Sequence, residues 1–250
     1  MKKLIIAASM VAVALTSNAQ DTYKFAAGDN NFELASAPFS GNPLAIPYIK
    51  YRRFLSESLA FRIGVNVTMT SRTTITTQNS NVQPIPAPAT PVTIDLTTKE
   101  SSFGWELAPG IEKHFAGTER LSPYVGAELR LAGKSQKNVS EFNPAGAADK
   151  IETLTIKNGD AAPAGVAANQ KGFFALGLNL VAGADYYFAK RLYLGGEFAY
   201  GLSYTSYADM TIETSVAGAA KIAPTKQGSA FGFGAGLGSL AGKLKIGFLF

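Results

Sequence analysis

The sequence predicts an all-β fold, a closed antiparallel transmembrane barrel of eight strands with short periplasmic turns and long outer loops. Three observations support this prediction. Apolar residues alternate with a period of two along most of the chain, the two faces of the alternation differ in bulk, and the breaks between alternating segments are short and long in turn. A period of two is the pattern of a strand rather than of a helix.

The alternation is clearest in residues 171–207. Every second residue from Phe174 to Phe188 is apolar, and the same pattern resumes from Leu192 to Tyr204 after a short polar break. A period of two on both sides of a short break predicts a β-hairpin with two long strands. A helix is disfavoured because five glycines within the two runs would each cost about 1 kcal/mol in a helix interior.

The two faces of this hairpin differ in size. One face is bulky and apolar, whereas the other is mostly Gly and Ala with a few charges. A soluble sheet usually presents a polar face to water, but small residues suit the inside of a narrow barrel whose bulky face meets lipid. The aromatic residues beside the turn are expected to form an interfacial girdle. They are Tyr186, Tyr187, Phe188 and Tyr193.

The remaining strands follow the same pattern. We predict them at residues 32–39, 44–55, 59–72, 101–115, 122–133 and 228–250. Prolines interrupt the first two, so their register is the least defined. In the last segment the apolar parity changes within residues 238–242, as a β-bulge would cause. The alternative is a turn there that splits the segment into two strands.

The breaks between the predicted strands alternate in length. Residues 56–58, 116–121 and 189–191 form short breaks, whereas residues 73–98, 134–170 and 212–227 form long polar ones. Closely spaced prolines at residues 84–91 predict that much of the first long segment is loop. Short periplasmic turns and long outer loops are typical of bacterial barrels. An even number of strands also places both termini on the periplasmic side.

Residues 1–19 have the features of a secretory signal peptide. Basic residues precede an apolar run at residues 4–15, and Ser17 and Ala19 supply a small-x-small cleavage site. Twelve apolar residues are too few to span a bilayer, which takes about 20. Residues 20–250 are then the barrel domain, since only a closed barrel or a long apolar helix satisfies its backbone in lipid.

Composition excludes several classes of function. The chain has no cysteine, so it has no disulfide, thiol chemistry or lipidated cysteine. Its net charge is +5, but Lys and Arg are scattered rather than concentrated in a patch, so we expect no nucleic-acid partner. With one histidine and no loop of calcium-binding spacing, we expect neither a metal nor another cofactor.

Charged residues on the inward parity form the best candidate site. They are Lys50, Arg52, Arg62, Glu106, Glu112, Glu128, Arg130, Asp185, Glu197, Lys243 and Lys245. Six are positive and five negative, which suggests a salt-bridged plug, because unpaired charges in a confined interior are costly. A gate or a narrow ion path is the functional alternative. We favour the plug because an eight-stranded barrel is just wide enough for its own side chains.

Two further features suggest chemistry only weakly. His114 with Glu112 could form a general base and its orienting carboxylate, but His114 is expected near the periplasmic turn as an interfacial polar side chain. The glycine-rich residues 232–238 lack the Lys-Ser/Thr and the helix of a phosphate loop. We interpret them as small interior positions along a strand.

The C-terminal residues 243–250 end in Phe250, with Phe248 two positions before it. With this ending and the strand pattern, residues 32–250 resemble the small eight-stranded outer-membrane β-barrel family, the OmpA/OmpX-like group. The resemblance implies that Phe248 and Phe250 are the signal read by the barrel-assembly machinery. Lys245 stands where a glycine is usual in that family. The resemblance also implies a monomer in a Gram-negative outer membrane, in contact with its lipid and lipopolysaccharide.

The resulting prediction is a non-enzymatic barrel with a structural or surface-interaction role, exerted through its extracellular loops. The loops carry no motif that identifies a ligand. A narrow porin-like channel for small solutes is the main alternative. A secreted lipocalin-like carrier with its bulky face turned inward is another, and an outer-membrane lipid-modifying enzyme is a distant one.

Overall fold

The structure is a computed structural model that describes residues 23–36, 48–79, 93–142, 152–159, 171–215, 222–235 and 242–250. Within these ranges the chain forms eleven antiparallel strands and no helix. Accordingly, the described chain has no apolar helix of membrane-spanning length. The predicted signal peptide lies outside the described residues.

The strands are numbered in chain order. They are β1 (Asn30–Ser36), β2 (Tyr48–Phe54), β3 (Leu59–Asn79), β4 (Thr93–His114), β5 (Leu121–Phe142), β6 (Glu152–Lys157), β7 (Phe173–Ala189), β8 (Leu192–Tyr207), β9 (Thr211–Thr214), β10 (Ser229–Ala235) and β11 (Gly242–Leu249).

Eight of these strands form a ring in the order β1-β2-β3-β4-β5-β7-β8-β11. Antiparallel pairing of β11 with β1 returns to the start, with Leu249 opposite Asn31 and Phe248 opposite Phe32. The predicted all-β architecture and the count of eight ring strands are confirmed. The short breaks at residues 55–58, 115–120 and 190–191 lie at one end of the ring, which we name the turn end, and the opposite end is the loop end.

Several strands extend far beyond the ring at the loop end. β3 and β4 stay paired from Leu59 and Lys113 to Asn79 and Thr93, so that β3, with 21 residues, is about 70 Å long at 3.3 Å per residue. β5 continues to Phe142, where it pairs with β4 and β6, and β9 pairs with β6.

The prediction that residues 73–98, 134–170 and 212–227 are loops is therefore wrong in part. Residues 73–79, 93–98, 134–142, 152–157 and 211–214 are strand. These segments are polar, so they lack the apolar alternation used to predict strands. Their threonines nevertheless favour extended backbone, and pairing satisfies their backbone groups whichever side chains they carry. Residues 80–92, with their prolines, lie outside the described residues.

β10 and β11 occupy one position beside β8. Both run antiparallel to it, with Ala235 opposite Tyr200 and Gly242 opposite Phe198. From Ala235 to Gly242 the chain advances by seven residues, whereas the paired residues on β8 are only two apart. The difference is an offset of five residues. An odd offset switches the parity of the outward residues, as the sequence pattern indicates. The β-bulge predicted within residues 238–242, or the alternative turn, falls largely on residues 236–241, which lie outside the described residues.

The bulky face of the ring points outward. Leu180, Phe198 and Met69 are 65%, 70% and 77% exposed, whereas the buried set includes most of the charged residues on the opposite parity. The lipocalin-like alternative requires the reverse arrangement, so the structure contradicts it.

The turn end of the ring carries a small aromatic core. Phe54, Tyr187, Tyr193 and Leu249 are fully buried there. The ring of Phe25, from the segment before β1, stacks on Phe54 with 3.7 Å between centroids. The N-terminal segment therefore packs across this end of the ring.

A buried ion network inside the strand ring

All eleven charged residues that the sequence places on the inward parity are buried in the structure. None is more than 7% exposed. They come from β2, β3, β4, β5, β7, β8 and β11, so strand alternation alone brings them together.

Arg52 on β2 contacts side chains from four other strands of the ring. Its Nη1 donates to Glu112 Oε2 at 2.9 Å, and its Nη2 donates to Asp185 Oδ2 at 2.7 Å. The same Nη2 also forms an ion pair with Glu33 and donates to the hydroxyl of Tyr193. Both Arg52 and these acidic partners are fully buried.

Arg62 on β3 is the second centre of the network. Its Nη1 donates to Glu112 Oε1 at 2.7 Å, and its Nη2 lies 2.9 Å from both Glu128 Oε2 and Glu197 Oε1. Glu112 therefore bridges the two arginines with its two oxygens, and the network continues from one to the other.

The lysines complete the network. Lys50 Nζ lies 2.7 Å from Glu197 Oε2, and Lys245 Nζ lies 2.8 Å from Asp185 Oδ1. Lys243 is more distant, at 3.9 Å from Glu197 Oε1. Tyr124 donates from its hydroxyl to Glu197 Oε2 at 2.7 Å.

Arg130 and Glu106 form a separate pair nearer the loop end. Arg130 Nη2 donates to Glu106 Oε2 at 2.7 Å. Between this pair and the arginine centres, Asn179 donates to Glu128 Oε1 at 3.2 Å. Polar contacts thus continue along the inside of the ring, with the densest part near the turn end.

The sequence interpretation missed Glu33. It is fully buried and lies 3.5 Å from Lys50 and 3.4 Å from Lys245 through its carboxylate oxygens. With Glu33 added to the five predicted acids, six formal negative charges meet six positive ones. Glu33 alternates with the apolar residues Phe32 and Leu34 in the sequence, which indicates an inward position. The nearby prolines make the strand pattern irregular and obscure this indication.

The proposed aromatic girdle is wrong for two of its four members. Tyr186 and Phe188 are 50% and 42% exposed, but Tyr187 and Tyr193 are fully buried. Tyr193 faces inward because its hydroxyl can donate to the carboxylate of Glu33 at 2.6 Å. A tyrosine can serve either face, since it combines an apolar ring with a polar tip.

Comparison with family models matches residues 48–228 to the Putative OmpA-OmpF-like porin family. The match spans 181 of 250 residues. The chain belongs to this family. The finding confirms the resemblance to OmpA-like outer-membrane β-barrel proteins. No curated protein and no solved structure matches the chain.

Glycine in this OmpA-like chain makes room for the network. A Cβ on Gly64 would overlap the ring of Tyr48, and one on Gly247 would overlap Tyr193. At Gly195 an added Cβ would lie 2.5 Å from Asp185 Oδ1 and 2.6 Å from Lys245 Cε. The small residues of the inward face therefore lie beside the large ones and allow them to pack.

His114 has no ring nitrogen available to a substrate. Its Nδ1 lies 2.9 Å from Ser122 Oγ and its Nε2 lies 3.2 Å from Glu112 Oε2. The side chain is 3% exposed and packs edge-on against Phe25, with 4.7 Å between centroids. The arrangement does not support a general base. His114 lies at the turn end, as predicted, but its ring is buried against Phe25 and Phe54 rather than exposed.

The remaining sequence features of this OmpA-like chain are its possible metal ligands and its glycine-rich segment. Its His, Asp and Glu residues form no group of three or more that could hold a metal ion. Of the glycine-rich residues, 232–235 lie on β10 and the others lie outside the described residues.

Phe248 and Phe250, the predicted assembly signal, lie where β11 meets β1. Phe250 is 39% exposed, and its ring is 5.4 Å from that of Phe32 and 6.1 Å from that of Phe248. The three rings form an outward aromatic group at the turn end. Their recognition by the assembly machinery stays a prediction.

Proposed function

We propose that this protein is a closed, non-conducting β-barrel of a Gram-negative outer membrane, with a structural or surface-interaction role and no enzymatic activity. It is exported by a cleaved signal peptide, inserted as a monomer by the barrel-assembly machinery, and surrounded by lipid and lipopolysaccharide. The observation that carries the proposal is the ion network that crosses the interior of the ring.

The outer surface of the ring supports insertion in a membrane. Large apolar side chains are exposed on every ring strand that the lipid would contact. They include Phe32, Ile49, Val65, Ile111, Leu129, Leu178, Phe198 and Ile246. In water such a continuous apolar surface would promote association, whereas in lipid it is the surface that an outer-membrane barrel presents.

Two ion pairs span the ring from side to side. Arg62 on β3 pairs with Glu197 on β8, and Arg52 on β2 pairs with Asp185 on β7. In the order of the ring, β3 and β8 are four places apart, as are β2 and β7. Each pair thus joins opposite walls, and the four side chains are nearly or fully buried. These contacts fill the cross-section through which a solute would pass.

The polar sheet beyond the ring is the part that reaches outward. β3, β4 and β5 extend past the ring, with β6 and β9 added at the edge. Surfaces held on a rigid scaffold are where binding is commonly found. The surface role therefore belongs to this sheet and the segments that connect its strands.

The test is conductance of the refolded protein in a planar bilayer, after a heat-shift on an SDS gel has shown that it is folded. We expect no steady channel in the wild type. Steady single-channel steps that change with Arg62→Ala would overturn the proposal and favour the porin-like alternative. The word porin in the family's description is the observation that supports that alternative.

A further inference from the structure

A cavity of about 400 Å³ lies inside the ring toward its loop end. Its walls come from the inward residues of β5, β7 and β8, together with Lys171 just before β7. At the side of the cavity nearest the loop end, Lys134 on β5 pairs with Phe173 on β7, and Phe173 pairs with Tyr207 on β8. We name this space the outer cavity. Its volume is in the range of pockets that hold small molecules, about 300–1,000 Å³.

Small inward side chains on β7 and β8 leave room for the cavity. Ala175 and Gly177 face inward on β7, whereas nearer the turn end the inward positions carry arginine and tyrosine. The pair Arg130–Glu106 lies at the boundary, with 2.7 Å between Nη2 and Oε2. Arg130, held by Glu106, therefore borders the outer cavity on the side of the ion network.

The described lining of the outer cavity is cationic. It contains Arg130, Lys134 and Lys171 and no acidic side chain. Arg130 is balanced by Glu106, and Lys171 Nζ lies 5.3 Å above the ring of Tyr207. Lys134 differs from both, because its ammonium makes no hydrogen bond or ion pair with a side chain among the described residues.

Hydroxyl groups line the opposite wall. Ser203, Thr205 and Tyr207 follow one another on the inward parity of β8. Hydroxyls can donate to an anion or accept from its hydroxyl groups, and charge-assisted hydrogen bonds from lysine and arginine to carboxylate or phosphate are the strong ones. The cationic groups and the hydroxyls can thus both form hydrogen bonds to an anionic ligand.

We propose that the outer cavity is a dead-end binding site for a small soluble anion that carries phosphate or carboxylate groups. The ligand enters from the loop end, contacts the Lys134 ammonium and the β8 hydroxyls, and leaves by the same route. Low permittivity around a partly enclosed cation strengthens its attraction for an anion relative to that of an exposed lysine. This function is separate from the structural and surface role proposed above.

The test is isothermal titration of the full mature chain, folded in detergent, with inorganic pyrophosphate and in a second series with citrate, both at low ionic strength. We expect one site per chain and weaker binding as salt is added. Lys134→Gln should weaken binding by about tenfold or more, since losing a hydrogen bond to a charged group costs at least about that factor. Lys134→Arg should restore it.

Lys99→Gln is the matched control. It removes the same charge from the outer sheet, where Lys99 is 51% exposed and pairs with Glu141. Lys171→Gln is a second cavity variant, and the heat-shift assay shows whether each variant is folded. Weaker binding in both cavity variants with little change in Lys99→Gln would support the site.

Three results would overturn the proposal. The first is the absence of binding by the folded wild type to either probe at low ionic strength. The second is an equal loss in Lys99→Gln and Lys134→Gln, which would mean that diffuse surface charge attracts the anion. The third is full binding by both folded cavity variants.

Discussion

Arg62 and Glu197 form a two-pronged ion pair across the inside of the ring, with Nη1 to Oε2 at 3.0 Å and Nη2 to Oε1 at 2.9 Å. The two strands that carry them face each other across the ring, and neither side chain is measurably exposed. Parallel bonds between a guanidinium and a carboxylate fix orientation as well as distance. This pair therefore joins opposite walls and fixes their spacing.

Removing Arg62 should destabilise the folded barrel strongly. Arg62→Ala leaves Glu112, Glu128 and Glu197 buried without one of their partners, and breaking a buried pair from one side costs about 3–5 kcal/mol. Urea unfolding in lipid vesicles, followed by tryptophan fluorescence, measures the difference. The control is Lys99→Ala on the exposed Lys99–Glu141 pair, which should change stability by no more than about 1 kcal/mol. Similar losses in the two variants would contradict the structural role of the network.

Adding a methyl group at Gly110 should destabilise the folded protein. A Cβ there would overlap the Ala127 carbonyl and lie 2.9 Å from Glu128 Cα. Since backbone atoms cannot move aside easily, Gly110→Ala should cost about 1–3 kcal/mol. Gly196→Ala is the control, because an added Cβ at Gly196 has no neighbour within 4 Å among the described residues. The same urea unfolding compares them, and an equal effect of the two changes would contradict the predicted overlap.

The ring could be predicted from sequence because its outward and inward faces differ so clearly. Leu176, Leu178 and Leu180 alternate with small or polar residues, so the strand and its outward-facing side follow together from one pattern. The inward charges follow from the same parity. Their pairing partners do not, because a partner across the ring depends on shear and on side-chain reach, neither of which a single strand's pattern specifies.

The outer sheet could not be predicted from the same signal. Residues 73–79 are mostly polar on both parities, and residues 73–76 are exposed on both faces of β3. With no buried face, there is no apolar period to detect. Glu33 and Tyr193 were missed for another reason. Glu33 lies close to prolines in the sequence, and Tyr193 lies close to other tyrosines. The alternation of apolar residues therefore does not identify either one as facing inward.

Deleting residues 84–91 should leave the ring folded. These residues lie between β3 and β4, whose pairing runs from Leu59–Lys113 to Asn79–Thr93 and does not depend on them. Shortening a loop between paired strands changes its closure entropy only slowly. The heat-shift on an SDS gel and the urea midpoint should match the wild type. Collapse of the barrel would mean that the prolines contribute to the fold.

Acid should weaken the edge of the outer sheet where β6 pairs with β9. Lys157 Nζ donates to Glu213 Oε1 at 2.7 Å, and this hydrogen bond, with the charge of the ammonium, lowers the pKa of Glu213 below its usual value. A carboxylate whose folded-state pKa is depressed contributes stability above its unfolded pKa and loses it as the pH falls through the folded one.

Lys157→Gln should therefore raise the pKa of Glu213 back toward its ordinary value and remove the acid sensitivity of the β6–β9 pairing. An NMR titration of the Glu213 side chain measures the first effect, and amide exchange in β9 across the same pH range measures the second. Lys137→Gln is the control, because Lys137 influences Glu213 only through its more distant charge. An unchanged Glu213 titration in Lys157→Gln would show that the pair does not form in solution. Loss of acid sensitivity in Lys137→Gln alone would assign the effect to long-range charge instead.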